Sequence, residues 1–106
     1  MKIDILGAKY TLVMDKSGTN PRLEEAAGYC DVHAKKIVVQ SLYEEDVMNS
    51  DRMDMYVSKV VRHEVFHAVL HECGLDKYSV DETLVDCLAI QLPKIVEILN
   101  KIGGKK

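Results

Sequence analysis

The chain has 106 residues, of which 47% are hydrophobic and 29% charged, and its formal net charge is −3. This length and composition predict a single domain over residues 1–106 with one modest hydrophobic core. The near-balanced charges provide no basic surface of the kind that nucleic-acid-binding proteins carry. No apolar run reaches the roughly 20 residues that a membrane span needs. We therefore expect a protein that binds neither nucleic acid nor membranes.

The N-terminal segment and the cysteines indicate a cytoplasmic protein. Asp4 interrupts the apolar stretch at the N-terminus and no cleavage signature follows it, so we expect no signal peptide. Cys30, Cys73 and Cys87 are an odd number of cysteines without a CxxC pair. This usage predicts reduced thiols, each packed as a small buried hydrophobe.

A β-hairpin is the first predicted element in chain order. Residues 2–6 and 10–14 are rich in strand-forming residues, and Gly7-Ala8 lies between them as the turn. Residues 15–21 contain Ser, Gly, Asn and Pro, a composition typical of a loop.

A second hairpin is predicted at residues 29–33 and 36–40, around a turn at Ala34-Lys35. The preceding residues 22–27 fit a short helix and a loop equally well. The N-terminal half therefore predicts a small antiparallel sheet made of two hairpins.

A long amphipathic helix is predicted next. Ser50 or Asp51 can cap its start, and Gly74 is a suitable residue just beyond its end. Val60 and Ala68 fall in one apolar sector, which we expect to pack against the sheet.

A second helix is predicted to begin near Val80, with Ser79 as its N-cap. The connection from Gly74 is short, so the two helices should lie side by side. Pro93 lacks the N–H that would bond the carbonyl one turn earlier, so we expect it to kink the helix or divide it. The predicted core side consists of Leu84, Val85, Leu88, Leu92, Ile95, Val96 and Leu99.

Residues 63–67 form an HExxH motif inside the first helix. His63 and His67 share one helix face about 6 Å apart along the axis, and imidazoles at that spacing can bind one Zn²⁺ at roughly 2.0–2.1 Å each. Glu64 is rotated by about 100°, which places it beside the metal as a general base for a metal-activated water. The motif therefore predicts a zinc site with Glu64 as the catalytic residue.

A catalytic zinc normally has three protein ligands and one open position. Glu82 on the second helix is the candidate for the third ligand. Asp86, one turn later, would accept the N–H of a ligand histidine and fix its tautomer. Asp81 competes with Glu82, because predicted helix starts are uncertain by a residue or more.

Other arrangements of these residues are also open. Ser79 and Glu82 fit a capping box, in which the carboxylate turns back to the Ser79 N–H. Cys73 or Cys87 would complete a softer, structural site. His71 lies about 12 Å along the axis from the first histidine of the motif and is excluded if that pair binds.

HExxH, a short gap and ExxxD on the next helix resemble the gluzincin metallopeptidases. The small size and the β-rich first half resemble the ImmA/IrrE-type metallopeptidases of bacteria, phages and mobile elements. Residues 63–71 are similar to the active-site helix of that family, and residues 81–86 to its second metal helix. The resemblance implies a zincin-like fold and a cytoplasmic zinc-dependent endopeptidase. Members of the family cut repressor-like transcription factors, so a repressor-like protein substrate is also implied.

Two features depart from that family. Phe66 occupies a position where the family commonly has Gly, which adds bulk beside the site. The helix-turn-helix or sensor region of larger relatives is missing, so we expect no regulation by such an attached domain.

Substrate binding is expected along an exposed sheet edge, for which hairpin 29–40 is the candidate. Tyr78 and Tyr29 are candidates for a second donor to the oxyanion. The alternative to an enzyme is a catalytically inactive, zinc-stabilised protein-binding module, and a small interaction protein without metal is a third possibility. An open fourth position on the metal distinguishes the enzyme from the binding module.

Overall fold

The computed structural model describes residues 1–16, 18–40 and 50–103, and within residues 50–58 only the backbone. Within these residues the fold is α+β, as predicted, with a four-stranded sheet followed by three helices. The segment that fits helix or loop contains a 3₁₀ turn at Pro21–Glu24. The elements are β1 (Lys2–Ile5), β2 (Ala8–Asp15), β3 (Gly28–Asp31), β4 (Lys36–Gln40), α1 (Ser50–Glu72), α2 (Asp76–Ser79) and α3 (Glu82–Ile102).

Both predicted hairpins form. β1 pairs antiparallel with β2, and β3 pairs antiparallel with β4. The first turn runs through Leu6 and Gly7, whose φ angles of 52° and 95° are both left-handed. Two left-handed residues in succession are typical of the type I′ turn, whose twist matches that of the strands. The predicted turn at Gly7-Ala8 is one residue late, because Ala8 already pairs with Ile5.

The predicted all-antiparallel sheet is wrong at one interface. The strand order is β1-β2-β4-β3, and β2 runs parallel to β4. The segment between β2 and β3 leads the chain past the position that β4 later takes. β3 therefore forms the outer edge, and β4 lies between β2 and β3. Ile37, Val38 and Val39 make β4 apolar on successive positions, as expected of a strand that is buried on both faces.

The core lies between one face of the sheet and α1, which confirms the predicted amphipathic helix. Gly28 permits a close approach at this interface. A Cβ on it would lie 2.9 Å from the Val38 carbonyl oxygen and 3.2 Å from Cγ1 of Val60 on α1. The buried cluster consists of Ile5, Tyr10, Ile37, Val39 and Ala68.

α1 spans Ser50–Glu72, and Gly74 lies just beyond its end, as predicted. Gly74 has φ 82°, its N–H donates to the His71 carbonyl, and the Leu75 N–H donates to the Leu70 carbonyl. These two bonds form a Schellman motif, which satisfies carbonyls at the helix end. The predicted capping side chains of Ser50 and Asp51 lie outside the described residues.

The start of α3 differs from the prediction. Ser79 is not its N-cap, because this residue ends α2 and its hydroxyl donates to the His67 carbonyl at 2.8 Å. Asp81 caps the helix instead, and its carboxylate accepts from the Leu84 N–H at 3.1 Å. The capping box with Glu82 therefore does not form.

α3 continues through Pro93 as one helix, so of the two predicted effects of this proline, a kink or a division, the division does not occur. The N-terminal half packs on α1 and buries Val85 and Ala89. The predicted core side fails beyond Leu92, since Ile95, Val96 and Leu99 are exposed. The apolar residues of α3 recur with the helical period, as predicted. The helix, however, extends past the surface of α1 that it packs against.

None of the described helices is long and apolar enough to cross a membrane. All three cysteines are free thiols. Cys73 and Cys87 are exposed, which contradicts their prediction as buried hydrophobes, and Cys30 is half-buried.

The C-terminal end of α1 is held to the sheet through Glu72. Its carboxylate accepts a hydrogen bond from the Tyr10 hydroxyl at 2.7 Å and another from the Lys35 ammonium. These bonds hold the pKa of Glu72 below its usual value. Burial raises the pKa of Tyr10, so its hydroxyl stays a donor at all ordinary pH values.

Replacing Gly28 by Ala should destabilise the fold by about 1–3 kcal/mol, because the new methyl group meets backbone on one side and α1 on the other. Urea denaturation measures the change. Gly18→Ala is the matched control, since a Cβ there meets nothing within 4 Å. Equal effects of the two substitutions would contradict the close approach of α1 to β3.

Glu72→Gln should lower the urea midpoint at pH 7. In acid the variant and the wild type should have the same midpoint. The folded pKa lies below the unfolded value of about 4.3, so the carboxylate stabilises the fold above that pH. The contribution disappears as the pH falls through the folded pKa. The measurement is the midpoint difference from wild type at pH 7 and at pH values below 4, with the exposed Glu97→Gln as control. A difference that does not depend on pH would refute the assignment.

Candidate metal centre

The two histidines of the HExxH motif project from α1 towards α3. Their ring centroids lie 4.9 Å apart, and the two Nε2 atoms are 3.3 Å from each other. The spacing follows from the helix, because residues i and i+4 share a face. Both side chains are mostly buried, at 19% exposed for His63 and 13% for His67.

Glu82 completes a triangle with these rings. Its Oε1 lies 2.8 Å from Nε2 of His63 and 3.3 Å from Nε2 of His67. Ligands at about 2.05 Å around a tetrahedral zinc are roughly 3.3 Å apart, so the three atoms fit three corners of such a site. Among the described residues this is the one group of three or more His, Cys, Asp or Glu side chains with metal-binding geometry.

Hydrogen bonds on the far side of each ring determine which nitrogen faces the triangle. Nδ1 of His63 lies 3.3 Å from Oδ1 of Asp86, and Nδ1 of His67 contacts the Ser79 carbonyl oxygen. Both oxygens only accept hydrogen bonds, so each Nδ1 carries a hydrogen, and in the neutral form of the ring each Nε2 then presents a lone pair to the triangle. Asp86 therefore stands where the sequence analysis expects it, beside a candidate ligand.

This arrangement fits a divalent cation. Two lone pairs on nitrogen and one carboxylate oxygen converge within 4.8 Å of one another. Without a positive ion between them, these atoms repel each other. A proton can bridge only two of these atoms at a time, whereas a metal ion can bind all three.

Glu64 lies beside the triangle and is the most buried acid near it, at 7% exposed. Burial raises the pKa of this carboxyl, the nearby His67 and His63 lower it, and Glu82 raises it further. Among the described residues its carboxylate has no hydrogen-bond partner, so it is free to exchange a proton with a bound molecule.

A groove of about 610 Å³ opens beside these residues, between the edge strand β3, α1 and the start of α3. Cys30 lies in its wall, and burial, followed by the charge of Glu64, raises the pKa of this thiol to about 12. Without a metal Cys30 therefore stays a neutral thiol, and it is not one of the three residues of the candidate metal group. The apolar lining comes from Ala26, Ala27, Val32, Val60 and Val80.

The two candidate tyrosines have different positions. Tyr29 lines the groove, and its hydroxyl accepts a hydrogen bond from Nδ2 of Asn20 at 2.9 Å. The guanidinium of Arg22 lies 3.7 Å from its ring centroid. Tyr78 is exposed and is not among the residues that line the groove. Phe66 does not line the groove either, so its bulk does not narrow this space.

The alternative ligands are not brought to the triangle. Asp81 is occupied as the cap of α3, and His71, one turn beyond His67 at the C-terminal end of α1, pairs with Asp76. Cys73 and Cys87 are exposed outside the group. Sequence reasoning missed the role of Ser79, whose backbone carbonyl orients His67. No residue-type signal marks such a contact, because every residue carries a carbonyl.

No protein-family model, curated protein or solved structure matches this chain.

Proposed function

We propose that this protein is a zinc-dependent metalloendopeptidase of the gluzincin kind, similar to the ImmA/IrrE-type enzymes, with a zincin-like arrangement of its helices. One observation carries the proposal: the convergence of His63, His67 and Glu82 next to the buried Glu64 in an open groove. The three free thiols fit a cytoplasmic location, which is part of the same proposal.

His63, His67 and Glu82 would hold the zinc, which would supply the positive charge that acidifies a water and polarises a scissile carbonyl. The role of Glu64 would be to accept a proton from the attacking water as its oxygen bonds to the carbonyl carbon. Glu64 would then give the proton to the amine nitrogen as the C–N bond breaks. Burial supports both steps, because it brings the pKa of Glu64 closer to neutrality than that of an exposed carboxyl.

The edge strand β3 suggests how a peptide binds. One side of β3 pairs with β4, and the other side borders the groove. No other strand of the described residues pairs with this side of β3, so an extended peptide can pair with it and bring a backbone carbonyl to the candidate metal centre. Tyr29 lies on the same strand and was the other candidate oxyanion donor, but its hydroxyl contacts Asn20, and no described contact brings it to the metal triangle.

Three protein ligands support an enzyme over a zinc-stabilised binding module. A structural zinc site is closed by four protein ligands, whereas a catalytic site leaves one position for solvent. Within the described part of the chain, no fourth His, Cys, Asp or Glu joins the group. A repressor-like protein substrate follows from the family resemblance alone.

The purified protein should bind one zinc ion per chain, and Glu82→Gln should weaken that binding at least tenfold, because a neutral amide replaces an anionic ligand. Competition with a chromophoric chelator measures the affinity. Glu97→Gln removes an exposed carboxylate from the same helix and should leave the affinity unchanged. Zinc uptake that is equal in both variants, or absent in the wild type, would contradict the metal centre.

Glu64→Gln should retain zinc and lose peptide cleavage by about 100-fold or more, because the amide cannot accept the proton of the attacking water. The assay follows zinc content and hydrolysis of a fluorescently labelled unfolded protein on the same samples. Cleavage at the wild-type rate would remove Glu64 from the mechanism. A wild type that binds zinc and cleaves nothing would favour the binding module.

A further inference from the structure

Arg62 makes a contact that the proposed site does not use. Pro93 has no N–H to donate to the carbonyl of Ala89, one turn earlier in α3. Nε of Arg62 on α1 donates to that carbonyl at 2.8 Å. Ala89 is completely buried, so this contact replaces an intrahelical bond where water has little access.

This hydrogen bond differs from the other polar links between α1 and α3. Within the part of the chain that the structure describes, the remaining ones join His63 and His67 to Glu82 and Asp86, which are the candidate site itself. Arg62 therefore provides the only polar link between these helices, among described residues, that is independent of the metal-binding side chains.

A polar link fixes a property that apolar packing leaves loose. Burial of Val85 and Ala89 against α1 sets the distance between the helices, but the hydrophobic effect has no direction. A hydrogen bond requires its two atoms to lie near 2.9 Å with good alignment. The bond from Arg62 therefore fixes the position of α3 along the axis of α1.

The location of the bond connects it to the metal centre. Arg62 directly precedes His63, and Ala89 lies less than one turn after Asp86. The side chain of Glu82 is 71% exposed, so burial does not hold it in place. Its position follows from that of α3.

We propose, on the basis of the proposed function, that Arg62 is a positioning residue for the metal centre. It binds the carbonyl that Pro93 leaves free and thereby sets α3 where Glu82 meets His63 and His67. Proline thus creates the acceptor on one helix, and arginine supplies the donor from the other.

Four full-length proteins test this proposal: wild type, Arg62→Met, Pro93→Ala and the double variant. Met keeps an apolar stem and removes the donor. Ala at position 93 restores an N–H that can bond the Ala89 carbonyl within α3. Lys94→Met is the control, because it removes an exposed cation beside the proline.

Arg62→Met should lower the urea midpoint of the metal-free protein and weaken zinc binding about tenfold, as loss of an outer contact does at metal sites. Pro93→Ala and Lys94→Met should bind zinc like the wild type. In the double variant the urea midpoint should recover, since the carbonyl is satisfied again. The zinc affinity should stay weakened, because no bond joins the helices.

Two outcomes would overturn the positioning role. The first is zinc binding in Arg62→Met within twofold of the wild type. The second is recovery of both the zinc affinity and the urea midpoint in the double variant. That result would mean that Arg62 only satisfies the Ala89 carbonyl and does not position α3.

A metal-free measurement separates this proposal from the proposed function. Imidazole ¹⁵N spectra report the contact between His63 and Glu82 without zinc. Arg62→Met and the double variant should change the His63 signals in the same way as Glu82→Gln does. Unchanged His63 signals would refute the proposal, whereas a wild type that binds no zinc refutes only the metal centre.

Discussion

Two hydrogen bonds between His67 and Ser79 hold the candidate metal centre together. The Ser79 hydroxyl donates to the backbone of His67, and the His67 ring donates to the backbone of Ser79. They attach the end of α2 to the C-terminal half of α1, so the chain enters α3 only three residues away. This attachment limits where α3 can start, and the bond from Arg62 to the Ala89 carbonyl adds a second point of contact with α3 further along the helix.

Asp81 and Glu82, the adjacent acids at the start of α3, have different roles. The Asp81 carboxylate accepts the free N–H of Leu84, which stabilises α3 at its N-terminus. Glu82, one residue later, is then free to turn towards α1. If Ser79 were the cap, as the sequence pattern suggests, the helix would start earlier and Glu82 would be directed back onto its own backbone. The short helix α2 prevents this by placing Ser79 against His67.

Local signals in the sequence were sufficient for much of this structure. Alternation and turn residues predicted both hairpins, and the left-handed glycine at position 74 marked the end of α1. HExxH predicted the approach of His63 and His67, because helix geometry alone fixes that pair. The spacing of Glu82 and Asp86 on a second helix close behind predicted that they approach the histidines, and both contact His63.

Contacts between distant residues could not be predicted in this way. The parallel pairing of β2 with β4 depends on how the two hairpins bury β4, which no local pattern encodes. The same holds for the exposed end of α3, since periodicity identifies an apolar face but not the length of the surface that covers it. Each of the two hydrogen bonds between Ser79 and His67 ends on a backbone carbonyl. Every residue has such a carbonyl, so the sequence does not indicate which one is used.

The exposure of Glu82 also bears on the choice of metal. Two donors of the triangle are held inside the protein, but the third stands in solvent on a side chain that can rotate away. An ion held there can enter and leave without any unfolding of α1 or α3. Nitrogen and oxygen donors discriminate poorly among first-row divalent ions. If the site binds a metal as proposed, the supply of ions around the protein, more than the rigidity of the site, would set which one occupies it.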